Sequence, residues 1–593
     1  MVLQLVLVAL ATTLLSADTV SAGQYANNTD CRVLPGDAAW PAKSQWDTLN
    51  STIEGRLIAS VPLGAVCHDP TYDEEKCKYL RENWQLPITY EEDPATPMSY
   101  WFQNSTCDPW TDRSTPCELG HLAVYAINVS QPADVSAGLA FAHKHKIRVS
   151  IKNTGHDFNG KSVGQGSLGI WTHNINSIQP INNYSQPWHK GPAMKLGAGV
   201  RGYEAYKGAH DAGLRVVGGD CATVGIAGGF LQGGGHSPLS GAYGMASDNV
   251  LEWEVVLANG TFVKATPEHN EDLYWALAGA GPSTFGVVTA VTLRAFPDGP
   301  VGGASLIFDR SQMSNDTFWK AFTYFQEALP GINAGGAQSA FATLPLQFYL
   351  QAVTRPDYTK DQMRDLLSEF TTKLDTLNID YNLTITSLPT YLDHFVTYFG
   401  PAPWGAYVIG ELMTGRLIPL EVSQADPAKI IAAYREITDT TQIIIGSTAQ
   451  DVSIKPLRKP VAPNSVMPSW RTAVNTLLVQ SYYNSSISWA QKQHLQDQLV
   501  GFAQKRIDEL VPEDTGTHLN EASFSPLIDW KTQFYGANYP RLLDIKRRLD
   551  PENIFWAVTA VGSDALEPPV YLWYALCRKT LTSFLAARSR EEL

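Results

Sequence analysis

The sequence predicts an α+β fold built from two unlike halves, and three observations carry that reading. Ala123 to Val129 and Ile147 to Lys152 are β-type runs on either side of a helical repeat from Pro132 to Lys144, which makes a β-α-β unit. Two glycine-rich loops follow in the same half, at 153 to 162 and at 218 to 235. After Pro297 the texture changes to longer amphipathic helices alternating with strands, as in an antiparallel domain.

A chain of 593 residues exceeds what one hydrophobic core organises. With 44% hydrophobic and 17% charged residues it is globular, and a net charge of −14 without clustered Lys or Arg argues against nucleic acid or an anionic membrane surface as partner. Met1 to Ala22 carries an apolar run from Val2 to Leu15 and ends in small residues, the pattern of a cleavable secretory signal. That run is too short for a spanning helix, which needs about 20 residues. Asn-x-Ser/Thr sequons begin at Asn27, Asn50, Asn104, Asn128, Asn183, Asn259, Asn315, Asn382 and Asn484, as expected of a glycoprotein.

The 7 cysteines fit the same compartment. Cys67 with Cys77 and Cys107 with Cys117 have disulfide spacing inside a Pro/Asp/Thr-rich segment, and Cys31 and Cys577 can make a further pair. Cys221 is then left over.

From Gly23 to Glu118 the chain is expected to be an irregular extension with an embedded helix such as Asp47 to Ile58, and regular structure begins at Leu119. Tyr203 to Ala212 has helical spacing. Val250 to Leu257 and Phe262 to Ala265 form a hairpin turned at Asn259-Gly260, followed by a helix from Glu271 to Leu277 and a strand from Val287 to Ala295. In the second half, helices are expected at Asp316 to Glu327, Lys360 to Thr376, Pro427 to Asp439 and Ser488 to Leu510. Strands are expected at Leu346 to Val353, Ile379 to Thr386, Gln442 to Gly446 and Val474 to Tyr483. A short helix opened by Asn538 runs to Leu549, and the residues from 565 on look appended.

The two loops place several backbone N–H groups on turning backbone, which suits a pyrophosphate without a Lys-rich pocket. One is Lys152-Asn153-Thr154-Gly155-His156-Asp157-Phe158-Asn159-Gly160-Lys161-Ser162, and the other contains Gly219-Asp220-Cys221-Ala222-Thr223-Val224-Gly225 and runs to Gly235. The first resembles the first FAD-binding loop of the vanillyl-alcohol-oxidase superfamily, and the second resembles the second loop of its berberine-bridge-enzyme-like branch. Gly279 to Gly286 with Val287-Val288, and Gly536 to Leu542 with Asp550-Pro551, are similar to two further segments of that branch. Asn520-Glu521-Ala522 and Gly235-His236-Ser237 resemble its secreted fungal members.

The resemblance implies a two-subdomain FAD-binding domain, an antiparallel substrate domain, and FAD bonded to His156 at the 8α-methyl and to Cys221 at C6. It further implies cofactor contacts from Asn153, Thr154, Gly155, Asp157, Phe158, Gly160, Lys161, Ser162, Gly219, Thr223, Val224, Gly225, Gly228, Gly229, Gly234, Gly235, His236, Gly286, Val287 and Asn538. His236 is read as a loop residue near the cofactor and not as a catalyst. The expected boundaries are 1–22 signal, 23–118 extension, 119–298 FAD domain, 299–519 substrate domain, 520–564 a segment returning to the FAD domain, and 565–593 tail.

The strand after Trp470-Arg471 carries no Asp or Glu, so no carboxylate base is identified there. Tyr535, Tyr482 and Tyr483 are the candidates, and the last two point to opposite faces of a strand. The expected activity is that of a secreted, monomeric oxidoreductase taking hydride from an alcohol, sugar or secondary-metabolite intermediate to the flavin, with O2 as acceptor and no metal. The alternatives are a dehydrogenase or oxidative cyclase, and a non-catalytic glycoprotein that keeps the fold.

Overall fold

The structure, a computed structural model, describes residues 32–565 except 104–106, 405–409, 442, 485 and 526. The expected signal segment, Cys31, Cys577, the sequons at Asn27 and Asn104, and the tail beyond 565 lie outside the described residues.

The β-α-β unit forms as its pattern requires. Strands Tyr125–Asn128 and Val149–Lys152 both run parallel to Leu168–Trp171, which lies between them. Helix Pro132–His145 crosses the sheet with Val135, Leu139 and Ala142 facing Ile127, Leu168 and Ile170. Its first turn is closed by Asp134, which accepts from the Ser130 and Gln131 N–H groups and pairs with Arg56. A second, antiparallel sheet runs in the order Ile178–Gln186, His189–Gly197, Val287–Arg294, Val250–Val256 and Phe262–Ala265.

The other half is a sheet of seven antiparallel strands in the order Asn382–Leu388, Val301–Asp309, Gln347–Pro356, Gln338–Leu344, Ile444–Gln450, Ala473–Tyr482, Glu411–Pro419. Helices Asn315–Ala334, Lys360–Thr376 and Pro427–Thr440 bury one face of it, Phe318, Phe322, Phe325 and Phe370 meeting Phe341 and Phe348. The opposite face is turned toward the glycine loops, and strand alternation decides which residues reach it. On Ala473–Tyr482, Leu477 and Val479 go to the helix side, whereas Leu478, Gln480 and Tyr482 go to the loop side.

Several expectations need correction. The helix expected from Asp47 to Ile58 is Lys43–Thr52, because Glu54 and Gly55 take φ of 56° and 83° and end it; Leu57–Ala59 is instead an edge strand paired with Tyr125–Asn128. The extension is therefore less irregular than its composition suggests, and it also holds helix Glu74–Asn83. The single helix expected from Ser488 to Leu510 is Trp489–Gln498, a π-turn Leu499–Gln504 and Lys505–Asp508. The strand expected from Ile379 starts later, at Asn382, since Asn378 at φ 52° still turns the chain out of the preceding helix. Both short-range disulfides form, Cys67 with Cys77 and Cys107 with Cys117, while Cys221 is a free thiol.

Candidate active site

A cleft of about 750 Å³ lies between the glycine loops and the open face of the seven-stranded sheet. From the first loop Asn153, Thr154, Gly155, His156, Asp157, Phe158, Asn159, Lys161 and Ser162 line it. Asp157 shapes that loop from within, accepting from the Asn159 N–H at 3.1 Å and from the Ser162 N–H and hydroxyl at 2.7 and 2.6 Å. Lys152 anchors it from behind, donating to the carbonyls of Tyr90 and Asp93 at 2.9 and 2.8 Å. From the second loop Gly219, Cys221, Val224, Gly225, Gly228 and Gly229 line the cleft, as do His236 and Gly286.

Thr223 is buried behind this wall, and its hydroxyl joins the two loops. It lies 2.8 Å from His156 Nε2 and 3.5 Å from Cys221 Sγ. Burial keeps the His156 imidazole neutral, down to about 3, and pushes the Cys221 thiol up.

The remaining expected residues do not face the cleft, each for a local reason. A Cβ on Gly160 would sit 2.5 Å from the Phe102 ring, so this glycine admits a packing contact. Gly234 and Gly235, at φ of 104° and 70°, turn the chain toward His236, and a Cβ on Gly235 would meet Ala246 at 2.8 Å. Val287 points into the core, and its strand neighbour Val288 lines the cleft instead. Asn538 donates to the Ser465 carbonyl at 3.1 Å. Tyr535 is buried with its hydroxyl on the Thr559 carbonyl at 2.8 Å, and Tyr483 packs edge-on to Trp101. Tyr482 alone of the three tyrosines lines the cleft.

The structure adds groups that local pattern did not supply. Glu411 stands opposite Tyr482 across neighbouring strands, and both line the cleft together with Gln480. Burial, reinforced by Glu521, raises Glu411 well above the usual carboxylate range, and burial with the Glu411 charge raises the Tyr482 phenol too. His236 Nε2 lies 3.1 Å from both Glu521 oxygens; burial opposes its imidazolium, but Glu521 and Asp220 outweigh burial and raise it to about 9. Gln351, Met413, Thr448, His518 and Asn520 complete the lining. The chain segment around Glu521 was legible only through the Asn-Glu-Ala resemblance, and nothing local marked Glu411.

Comparison with known proteins decides the family. The chain is 40% identical over 542 residues, 90% of its length and 92% of the other's, to the FAD-linked oxidoreductase patO of Aspergillus clavatus. It belongs to the berberine-bridge-enzyme-like branch of the vanillyl-alcohol-oxidase superfamily. Residues 124–266 match the family model "FAD binding domain", and residues 502–562 match "Berberine and berberine like". The bifunctional decalin synthase calF of Penicillium decumbens is 42% identical over 90% of this chain and 93% of its own length. The solved VAO-type flavoprotein MtVAO615 of Myceliophthora thermophila C1 superposes with a TM-score of 0.86 at 41% identity, over 91% of this chain and 98% of that one.

As a member of this branch, the protein is an FAD-dependent oxidoreductase, and its cleft fits that cofactor. Asn153 Oδ1, Asn159 Oδ1 and Lys161 Nζ are buried at the cleft without a hydrogen-bond partner among the described residues, as befits side chains that meet a polar ligand. A Cβ on Gly229 would touch only Pro282 within 4 Å, so the space beside this backbone belongs to the cleft and admits a flat ring closely.

Proposed function

We propose that the protein oxidises a small organic molecule, an alcohol, a sugar or a secondary-metabolite intermediate, on FAD bonded to both His156 and Cys221, with O2 as electron acceptor. The observation that carries this reading is the single Thr223 hydroxyl in contact with both His156 and Cys221, which draws the two nucleophiles together on one wall of the cleft. FAD supplies the two-electron acceptor for hydride leaving the substrate. The chain supplies the rest. His156 and Cys221 would hold the ring system, and the backbone glycines of 219–229 line the same wall.

Across the cleft, Glu411 takes the substrate's O–H or N–H proton as hydride leaves, its buried setting making the carboxylate a stronger base than an exposed one, while the neutral Tyr482 phenol beside it orients the substrate oxygen or nitrogen.

The same reading divides the chain into an FAD domain at 119–298, a substrate domain at 299–519 and a returning segment at 520–564. It also makes the protein a secreted, monomeric glycoprotein. Five of the sequons, at Asn183, Asn259, Asn315, Asn382 and Asn484, are exposed, and no helix among the described residues is long and apolar enough to cross a membrane.

Acid denaturation tests the linkage directly. Flavin is expected to stay with the precipitate in the wild type and in Cys221→Ala, and to be released from His156→Ala/Cys221→Ala. Colour freed from the wild type sinks covalent attachment. An oxidative cyclase is the second reading, favoured by the identity to a decalin synthase. Oxygen uptake compared with reduction of an artificial acceptor separates an oxidase from a dehydrogenase or cyclase that does not use O2.

A further inference from the structure

One cluster in the cleft supplies neither a proposed FAD tether nor the proposed proton acceptor. His236 Nε2 lies 3.1 Å from both oxygens of Glu521. The His518 ring stands edge-on to His236 with centroids 5.0 Å apart, and one donor atom from each of the three residues lies within 4.8 Å of the others. All three open on the cleft.

Each is held in place by its own segment. His236 follows the turn at Gly234 and Gly235 and stacks on Trp470. Its Nδ1 faces the Thr448 hydroxyl at 3.4 Å. The Glu521 N–H donates to the His518 carbonyl at 3.0 Å, a turn that brings these two residues together, and Asn520 fixes it by donating to Gly229 at 2.7 Å.

His518 is the informative member. It is 3% exposed, and its Nδ1 is fully buried without a hydrogen-bond partner. The ring's recorded contacts are with the rings of His236 and Trp470. A ring nitrogen buried without a partner is unfavourable, and a ligand in the cluster would relieve that.

We propose that His236, His518 and Glu521 form a binding site for a divalent transition-metal ion of the zinc class, with an open coordination position facing the cleft. Two imidazoles and one carboxylate are the donor set of zinc sites that keep a fourth position for water or substrate, whereas Mg²⁺ and Ca²⁺ prefer all-oxygen surroundings. Bonds of about 2.0–2.1 Å put tetrahedral donors about 3.4 Å apart. The His236–Glu521 spacing of 3.1 Å, now a hydrogen bond, is within about 0.3 Å of that, so a metal entering here would displace the shared proton, and the three donor atoms already lie within 4.8 Å of one another. Thr448 then orients His236 through its second nitrogen. The open position takes a substrate oxygen, which makes hydroxyl- or carbonyl-bearing compounds the matching ligand class. The site depends neither on covalent FAD nor on the acceptor being O2.

The FAD-loaded protein is incubated with ZnCl₂, freed of excess by gel filtration, and assayed for metal and protein. The wild type is expected to retain about one Zn²⁺ per chain, and folded His518→Gln and Glu521→Gln to retain at least about tenfold less. Negligible retention by the wild type, or equal retention by wild type and His518→Gln, overturns the site. Cobalt gives a reading that needs no variant. Tetrahedral Co²⁺ in the wild type is expected to add strong visible bands beyond the flavin's, and a weak octahedral spectrum overturns the proposal.

Discussion

Thr223 shows how one residue can organise a site without entering it. Its hydroxyl sits between an imidazole that burial keeps neutral and a thiol that burial keeps protonated, both on the cleft wall. The opposite wall turns on Glu411. Replacing it with Gln keeps the shape and removes the proposed proton acceptor, so on that proposal kcat is expected to fall about 10²- to 10⁴-fold with flavin content unchanged; steady-state rates per bound flavin check this. Tyr482→Phe should cost less, because the carboxyl remains.

A second residue-scale prediction concerns His394, fully buried and bonded through Nε2 to the Thr354 hydroxyl at 2.8 Å. Burial lowers it from 6.5 to about 3. The folded state thus resists protonation, and the stability this represents is full above about pH 6.5 and lost as pH falls toward 3. The slope is about 1.4 kcal/mol per pH unit. Between pH 6.5 and 4.5 the wild type should lose about 2 kcal/mol from this group, and His394→Gln should flatten that part of the urea-midpoint profile.

At the scale of elements, the cleft is made by placing short pieces against each other, and this explains what could be read in advance. The loops at 153–162 and 218–235 were legible because their function depends on residue identity: glycines where backbone must approach a ligand, with one His and one Cys among them. Tyr482 and Tyr483 were correctly assigned to opposite faces by alternation alone. Val287 and Val288 show the limit of that rule, since a period of two identifies a strand without fixing which parity faces inward. Glu411, Thr448 and Gln480 come from three strands whose adjacency is set by sheet order, so no local pattern joins them.

The C-terminal helix Tyr539–Leu549 is tied down in a comparable way. Lys546 Nζ, buried, donates to Thr284 at 3.0 Å and to Phe555 at 2.6 Å and pairs with Asp550 at 2.6 Å. Lys546→Met leaves the Asp550 charge buried without its partner and is expected to cost about 3–5 kcal/mol, measured by urea unfolding.

For the whole molecule, the N-terminal layer is a brace for the cofactor loop. Phe102 packs against Gly160, the backbone of 90–93 receives Lys152, and Gly64 lies so close to Cys107 that a Cβ there would sit 2.0 Å from its carbonyl oxygen. Each bridge closes a loop with a sequence separation of 10, for which chain entropy gives about 2–3 kcal/mol. Cys107→Ser/Cys117→Ser should lower the thermal midpoint accordingly, and the exchange protection of amides in 153–162 should fall with it; calorimetry and hydrogen exchange read both.

The contacts that close the FAD-binding wall span most of the chain. Asn520 donates to Gly229 across 291 positions, and Asn159 donates to the Leu519 carbonyl across 360. During synthesis the two glycine loops therefore leave the ribosome hundreds of residues before the segment that completes them. Flavin loading is accordingly a late event in the life of each molecule, and chains interrupted before residue 519 are expected to emerge colourless however much cofactor surrounds them.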